Sequence, residues 1–453
     1  MMIQNIQGNV LKVTGTALIG MSSLGLSAAS NELQKPNVIV VMVDDLGYND
    51  LRSYGAKEMH TPHIDKLMSE GVRFNEFYAN CCVCSPSRAA LLSGRYPEFV
   101  GMHGVVRKYA DNSFGYLTPQ SIMLPKLFQK AGYHTSLIGK WHLGLVKANR
   151  PNQRGFDDFH GFLGDMMDDY WTHLREGTNY MRKNEVEIDP KGHATDLFTQ
   201  WSIDYLKARA ADKKPFFQFL AYNAPHFPIQ PPQEWHDKVL AREKGLSPER
   251  AKNVAFVEHL DDGIGKVMKA LDELGLSKNT IVVFTSDNGG KEKYGASNGP
   301  LRADKTHVYD GGIKVPTCVR WPARISSGQT TEFRALTMDI IPTIADICGI
   351  SIDHTIDGRS FKKLLLEGEQ EQFKGPVFHM WLQKGTKESM RDGDWKLVRD
   401  VHEGRFELFN MKVDPYEKKD LATQMPEKAD EMIQVLTAHM KLTQSVPWQR
   451  PKQ

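Results

Sequence analysis

Three stretches of the chain are apolar almost without a break and rich in β-branched or aromatic residues: NVIVVMV at 37–43, PFFQFLAY at 215–222 and TIVVFTS at 280–286. A strand with one wet face would alternate apolar and polar positions, so these runs predict strands buried on both faces. Between them lie segments with helical spacing: TPHIDKLMSEG, SIMLPKLFQKAGY, ATDLFTQWSIDYLKARA and a long one around 248–275. Strands alternating with helices predict an α/β fold, a large, mostly parallel or mixed central sheet flanked by helices. From about residue 372 the texture changes. PVFHMWL, WKLVRD and RFELFN read as short strands joined by tight turns, followed by a helix at 426–441. That predicts a small C-terminal subdomain of antiparallel sheet and one helix, over residues 371–453, after a main domain at 35–370.

The first residues follow a different rule. Lys12 precedes VTGTALIGMSSLGLSAAS, a run of apolar and small residues that ends with Ser27 and Ala29 spaced as at an A-x-A-like cleavage site. Residues 1–29 are therefore expected to be a signal peptide, and the protein to be periplasmic or secreted. No later apolar run is long enough for a membrane span. Lys and Arg number 57 against 55 Asp and Glu, a net charge of +2, which leaves no footprint for nucleic acid or an acidic membrane surface. Any anion must meet a local cluster of positive groups.

Export sharpens the question of the cysteines. There are five, and three of them crowd into CCVCSPSRAALLSGR at 81–95. Cys318 and Cys348 sit in apolar segments and read as buried thiols. Cys81 and Cys84 form a C-x-x-C, but no second such pair or close pair of histidines completes a zinc site. A redox pair and a modified cysteine stay open. Ser85 as N-cap and Pro86 as first helical residue predict a short helix ending at Gly94. Cys84 then stands at its entrance, where free N–H groups favour an anion, with Arg88 on the same side of the first turn.

Oxygen-bearing side chains follow two of the buried strands directly: Asp44 and Asp45 after the first, Asp287 and Asn288 before Gly289 and Gly290 in TSDNGG. In open α/β sheets ligands bind beyond the carboxyl ends of the strands. Four such groups, with no His or Cys among them, describe a site for a hard cation, Ca²⁺ or Mg²⁺. Either pair alone is also what a turn or cap after a strand looks like. Lys140 and His142 in LIGKWHLG, His226 in YNAPHFP and Lys305 in LRADKTHVYDGG likewise fall at strand ends or in the following loops. Singly each reads as an ordinary surface lysine or satisfied histidine; together they predict one site.

At this point the residues resemble a known family. Cys84-Ser85-Pro86-Ser87-Arg88, with the tail Leu92 to Arg95, resembles the signature of the type I, formylglycine-dependent sulfatases of the alkaline phosphatase superfamily. NVIVVMVDDLGYNDL, GKWHLG, APHFP, TSDNGG and the C-terminal DGDWKLV and ELFNMKVDPYEKKDL are similar to family blocks in the expected order. The resemblance implies an alkaline-phosphatase-like fold. It implies that a sulfatase-maturating enzyme oxidises Cys84 to Cα-formylglycine, and that Asp44, Asp45, Asp287, Asn288 and the modified Cys84 bind Ca²⁺. The hydrated aldehyde would attack sulfur, with Arg88, Lys140 and Lys305 stabilising charge, His142 helping to release sulfate and His226 protonating the leaving oxygen. Lys305 departs from the usual Gly-Gly-Lys, following Ala303 and Asp304 instead.

Residues 154–177, RGFDDFHGFLGDMMDDYWTHLREG, resemble the segment after the Lys-x-His motif in animal sulfatases acting on N-acetylgalactosamine 4-sulfate and related glycans. Asp168, Tyr170, Trp171, His173 and Arg175 there are candidates for binding a sugar. The implied substrate is a sulfated carbohydrate, attacked from a chain end at a galactose or N-acetylgalactosamine carrying a 4-O-sulfate. Three rivals remain: a phosphate or phosphonate monoester hydrolase of the same superfamily, a sulfated-glycan binding protein whose Cys84 is never matured, and a thiol–disulfide protein using Cys81 and Cys84.

Overall fold

The run at 37–43 forms β1 (Asn37–Val43), and its side chains divide between two cores by the two-residue period of a strand. Val38, Val40 and Met42 face one core, Ile39, Val41 and Val43 the other, and all six are sealed from solvent. Burying each is worth roughly 1.5–3 kcal/mol, and the one polar residue of the run, Asn37, stands at its half-buried start. The computed structural model describes residues 35–109, 112–383, 387–400, 404–443 and 446; the expected signal peptide lies outside them.

Around β1 stand β2 (His134–Lys140), β3 (Asp158–Phe162), β4 (Phe216–Ala221) and β5 (Thr280–Ser286), all parallel, in the order β5-β1-β4-β2-β3. Beyond β5 the sheet continues through Thr317–Arg320, Val72–Phe74 and Gln329–Thr331; beyond β3 through Met181–Lys183 and Val186–Glu187, making ten strands with antiparallel pairings toward both margins. One face carries α1 (Cys84–Ser93), through Ala89, Leu91 and Leu92. The other carries α2 (Ala194–Asp212) and α3 (Pro248–Glu273), through Phe198, Leu206, Val254 and Leu260. The large mixed sheet with helices on both faces agrees with the sequence reading.

The register decides where chemistry can gather. Val43 lies beside Ser286, Met42 beside Ala221 and Ala221 beside Gly139, so four parallel strands end at one edge of the sheet. Asp44–Asp45, Asp287–Asn288, Lys140–His142 and the loop holding His226 all emerge there.

The C-terminal region forms a separate antiparallel sheet, β6 (Val377–Trp381), β7 (Lys387–Asp392), β8 (Trp395–Asp400) and β9 (Arg405–Asn410), followed by α4 (Pro426–Thr443). Strand β7 was not predicted, because KESMRD carries charge at most positions; it is nonetheless buried from Glu388 to Arg391. Met390, Leu397 and Leu408 pack with Cys81, Cys82, Val83 and Ala90, so this sheet backs the segment that carries Cys84.

Candidate functional site

Helix α1 begins two residues earlier than the capping pattern predicts. Its N-cap is Val83, with no side-chain capping bond, and Ser85 lies inside the first turn, where its Oγ accepts the Val106 N–H at 3.0 Å. Ser87 closes the turn instead: its Oγ accepts from Cys81 N and donates to Cys81 O. Cys84 is thus the first helical residue, and Gly94 ends the helix in the left-handed region at φ 66°. Every residue of α1 is buried, Cys84 being 3 % exposed. All five cysteines carry free thiols. Burial pushes the Cys84 thiol up, against the pull of Lys140 and Lys305, so the unmodified residue is a protonated thiol rather than a thiolate nucleophile.

Around Cys84 the predicted residues converge into one network. Arg88 donates from Nε (3.0 Å) and Nη2 (2.7 Å) to Asp287 Oδ2 and from Nη1 to Lys140 O. Lys140 Nζ meets Asp44 Oδ2 at 2.5 Å, and both side chains, like those of Arg88 and Asp287, are fully sealed. Lys305 Nζ bridges both oxygens of Asp45 at 2.6 and 2.7 Å, while Asn288 Nδ2 donates to Asp45 Oδ1. The departure from Gly-Gly-Lys is absorbed locally, since Ala303 adopts the left-handed backbone (φ 61°) that glycine would take without strain, and the Lys305 amide bonds Gly290 O. Gly289 is obligatory, because a Cβ there would lie 2.0 Å from Gly311 O.

The charges read as a paired set. Burial alone would raise the Asp44 carboxyl, but Lys140, His226, Arg88 and Lys305 hold it far below the usual range. Burial and then the Asp44 charge push Asp287 up, against Arg88. Burial would pull Lys305 down, yet Asp45 keeps it protonated and above its ordinary value. Three basic side chains thus face three acidic ones, and a divalent ion would add positive charge to the site, as an anionic ester requires.

Both histidines present one committed and one open nitrogen. His142, held at φ 60°, donates from Nε2 to Val106 O at 2.9 Å; its Nδ1 is buried without a partner and can only accept. Burial, with Lys140 and Arg88 beside it, keeps the ring neutral. His226 donates from Nδ1 to Phe227 O at 2.6 Å, which leaves Nε2, 3.7 Å from Asp45 Oδ2, as the atom that can carry a proton to a ligand. The Val106 carbonyl that orients His142 was invisible in the sequence, because a main-chain acceptor leaves no residue signature.

The residues at 168–175 divide. Trp171 is half-exposed, edge-on to His193, and Asp168 pairs with Arg175 at 2.7 Å, with Arg175 also reaching Asp165. Tyr170 and His173 do not fit the role of sugar contacts. Tyr170 is fully buried, its hydroxyl on the carbonyls of Asn223 and His226, and His173 is buried with Nε2 on Gly192 O. These two side chains anchor the loop, Tyr170 by tying it to the His226 turn. At its other side Lys108 Nζ donates to Glu176 O, two residues along from the carbonyl that holds His142.

The residues present fit a hard cation. Asp44 Oδ1 and Asn288 Oδ1 are buried oxygens without hydrogen-bond partners. Ligand atoms of Asp44, Cys84 and Asp287 lie within 4.8 Å of one another, as do those of Asp44, Asp45 and His226. Orphaned buried oxygens are costly unless something binds them, and an oxygen-rich set suits Ca²⁺ or Mg²⁺.

Comparison with known proteins agrees with this geometry. Residues 36–350 match the family model described as sulfatase, and residues 302–445 the model described as N-sulphoglucosamine sulphohydrolase, C-terminal. The chain is 33% identical over 374 residues to N-acetylgalactosamine-6-sulfatase of Rattus norvegicus, covering 77% of this chain and 69% of that one. It is 32% identical over 427 residues to steryl-sulfatase of Mus musculus, covering 76% and 67%. Among solved structures, "Ps i-CgsB in complex with k-i-k-neocarrahexaose" superposes with a TM-score of 0.83 at 30% identity, covering 90% of this chain and 93% of that one. With its signature cysteine, its paired charges and its two oriented histidines gathered at one sheet edge, the chain belongs to the sulfatase family, enzymes that hydrolyse sulfate esters.

Proposed function

We propose that this protein removes sulfate from galactose or N-acetylgalactosamine residues at the ends of glycan chains, with 4-O-sulfate preferred, after export to the periplasm or beyond the cell. Calcium at Asp44, Asp45, Asp287 and Asn288 and a Cα-formylglycine made from Cys84 by a sulfatase-maturating enzyme complete the site. Once in place, the cation would polarise an ester oxygen and the aldehyde would supply the oxygen nucleophile for attack on sulfur. The protein's own groups do the rest. Arg88 and Lys140, both sealed from bulk solvent, and Lys305, mostly covered, offset charge on the sulfuryl oxygens, and donors act most strongly where water is scarce. His142 accepts a proton at Nδ1, and His226, in the imidazolium form that burial opposes and Asp45 and Asp44 favour, delivers one from Nε2 to the leaving sugar oxygen, which is too basic to depart as an alkoxide.

The observation that carries the reading is the pairing of His226 with the charged centre: a binding protein has no need of a proton donor there. The galacto configuration is supported by the relatives named N-acetylgalactosamine-6-sulfatase and by the structure with a neocarrahexaose. The same relatives favour a second reading, in which the sulfate stands on O6 of that sugar. Sulfate release from 4- and 6-sulfated galactose and N-acetylgalactosamine, beside a sulfated glucosamine and a phosphate ester, decides. Release from the 4-sulfates supports the first reading and from the 6-sulfates the second. Phosphate release alone would overturn both.

A further inference from the structure

Next to the proton donor the protein displays an aromatic pair that the chemistry above does not use. Phe227 follows His226 directly and is 40 % exposed. Its ring stacks on Tyr294, centroids 4.4 Å apart and planes 23° from parallel. Single exposed apolar residues are ordinary on protein surfaces, but this pair is locked in place from both sides. Phe227 is fixed through its carbonyl, which takes the His226 Nδ1–H. Tyr294 stands on the segment that braces the other side of the site: Lys291 Nζ bonds Asp304 Oδ1 and Lys305 O, and Arg250 holds Gly295 O at 2.9 Å. The two rings therefore bridge the His226 turn and the Lys305 loop, at the rim of a site whose centre is buried.

Resting on the carbohydrate reading above, we infer that the Phe227–Tyr294 pair is a platform for the sugar next to the sulfated one. The sulfate must reach buried Cys84, so the sugar bearing it fills the depth of the site and the following ring lies at the rim. There the outward face of Phe227 offers a flat apolar surface matching the C–H face of a pyranose, already ordered before the ligand arrives. Lys293, with Nζ 5.7 Å from the Tyr294 ring, supplies a cation beside the platform for a neighbouring sulfated sugar.

The test compares sulfate release from a sulfated galactose monosaccharide and from a disaccharide ending in the same residue, for the wild type and for Phe227→Ala, Tyr294→Ala and Phe227→Trp. The wild type should prefer the disaccharide. Each alanine variant should lose about tenfold in that preference, through KM, the size of one lost apolar contact, while Phe227→Trp keeps it. Equal losses on both substrates would assign the pair a role in holding His226 and overturn the platform, as would an unchanged preference. A wild type that releases sulfate from neither sugar but from another ester would overturn the carbohydrate reading, and the platform with it.

Discussion

At the scale of single residues, the neighbouring cysteines are separated by what each side chain can reach. Cys81 Sγ donates to Met380 O at 3.1 Å, a contact that a serine hydroxyl can make, and it faces the C-terminal sheet. Cys84 faces the charged centre. Cys84→Ala should abolish sulfate release, whereas Cys81→Ser should keep it, measured as turnover on one sulfated sugar. Loss in both would revive the C-x-x-C redox reading. His226 gives a sharper test. His226→Gln should cost roughly 10²–10⁴-fold on a sugar sulfate, where the leaving oxygen needs a proton, and far less on 4-nitrophenyl sulfate, whose phenolate leaves unaided. Equal losses on the two esters would contradict the assignment of His226 as the acid.

At the scale of elements, the C-terminal sheet is bound into the site by a buried ion triad. Lys396 on β8 meets Asp310 Oδ1 and Glu417 Oε1, each at 2.7 Å, and Asp310 opens the short helix that follows the Lys305 loop. Lys396→Ala would strand two buried carboxylates and should cost about 3–5 kcal/mol of stability in urea unfolding. A loss under 1 kcal/mol would show that the triad is not what ties the sheet in. Close by, His379 on β6 is buried with both ring nitrogens unpartnered. Burial, then Lys396, pushes it down to about 3. In the unfolded chain it titrates near 6.5, so its contribution is full above that pH and is lost as pH falls toward 3. His379→Phe should therefore lose about 2 kcal/mol less than the wild type between pH 7 and pH 5. Equal losses in the two proteins would refute a neutral, buried His379.

At the scale of the whole molecule, the parts legible in the sequence are those where one physical rule dominates. The continuous runs in β1, β4 and β5 can only be strands with two covered faces, and parallel strands align their ends, so Asp44, Asp45, Asp287, Asn288, Lys140 and His226 could be gathered before any coordinates. The loop at 165–176 carries no such period. Its composition shows aromatics and charges but not which way they turn, and the structure buries Tyr170 and His173 as braces while leaving Trp171 out. The N-cap of α1 failed for a related reason, since Ser85 was drawn off by a long-range bond to Val106 that local pattern cannot contain.

The same convergence predicts that chelation removes activity and lowers the melting temperature, because an ion held only by the folded site stabilises it, and that calcium restores both; a chelated protein with unchanged turnover would count against the cation site. The most direct measurement joins the modification to the reaction. Protein made with and without a sulfatase-maturating enzyme would be assayed on a sulfated galactose, and the mass of the peptide bearing Cys84 measured in each preparation. Sulfate release in proportion to the fraction carrying the aldehyde is the predicted result. Equal release from protein whose Cys84 is wholly unmodified would contradict the account at its centre.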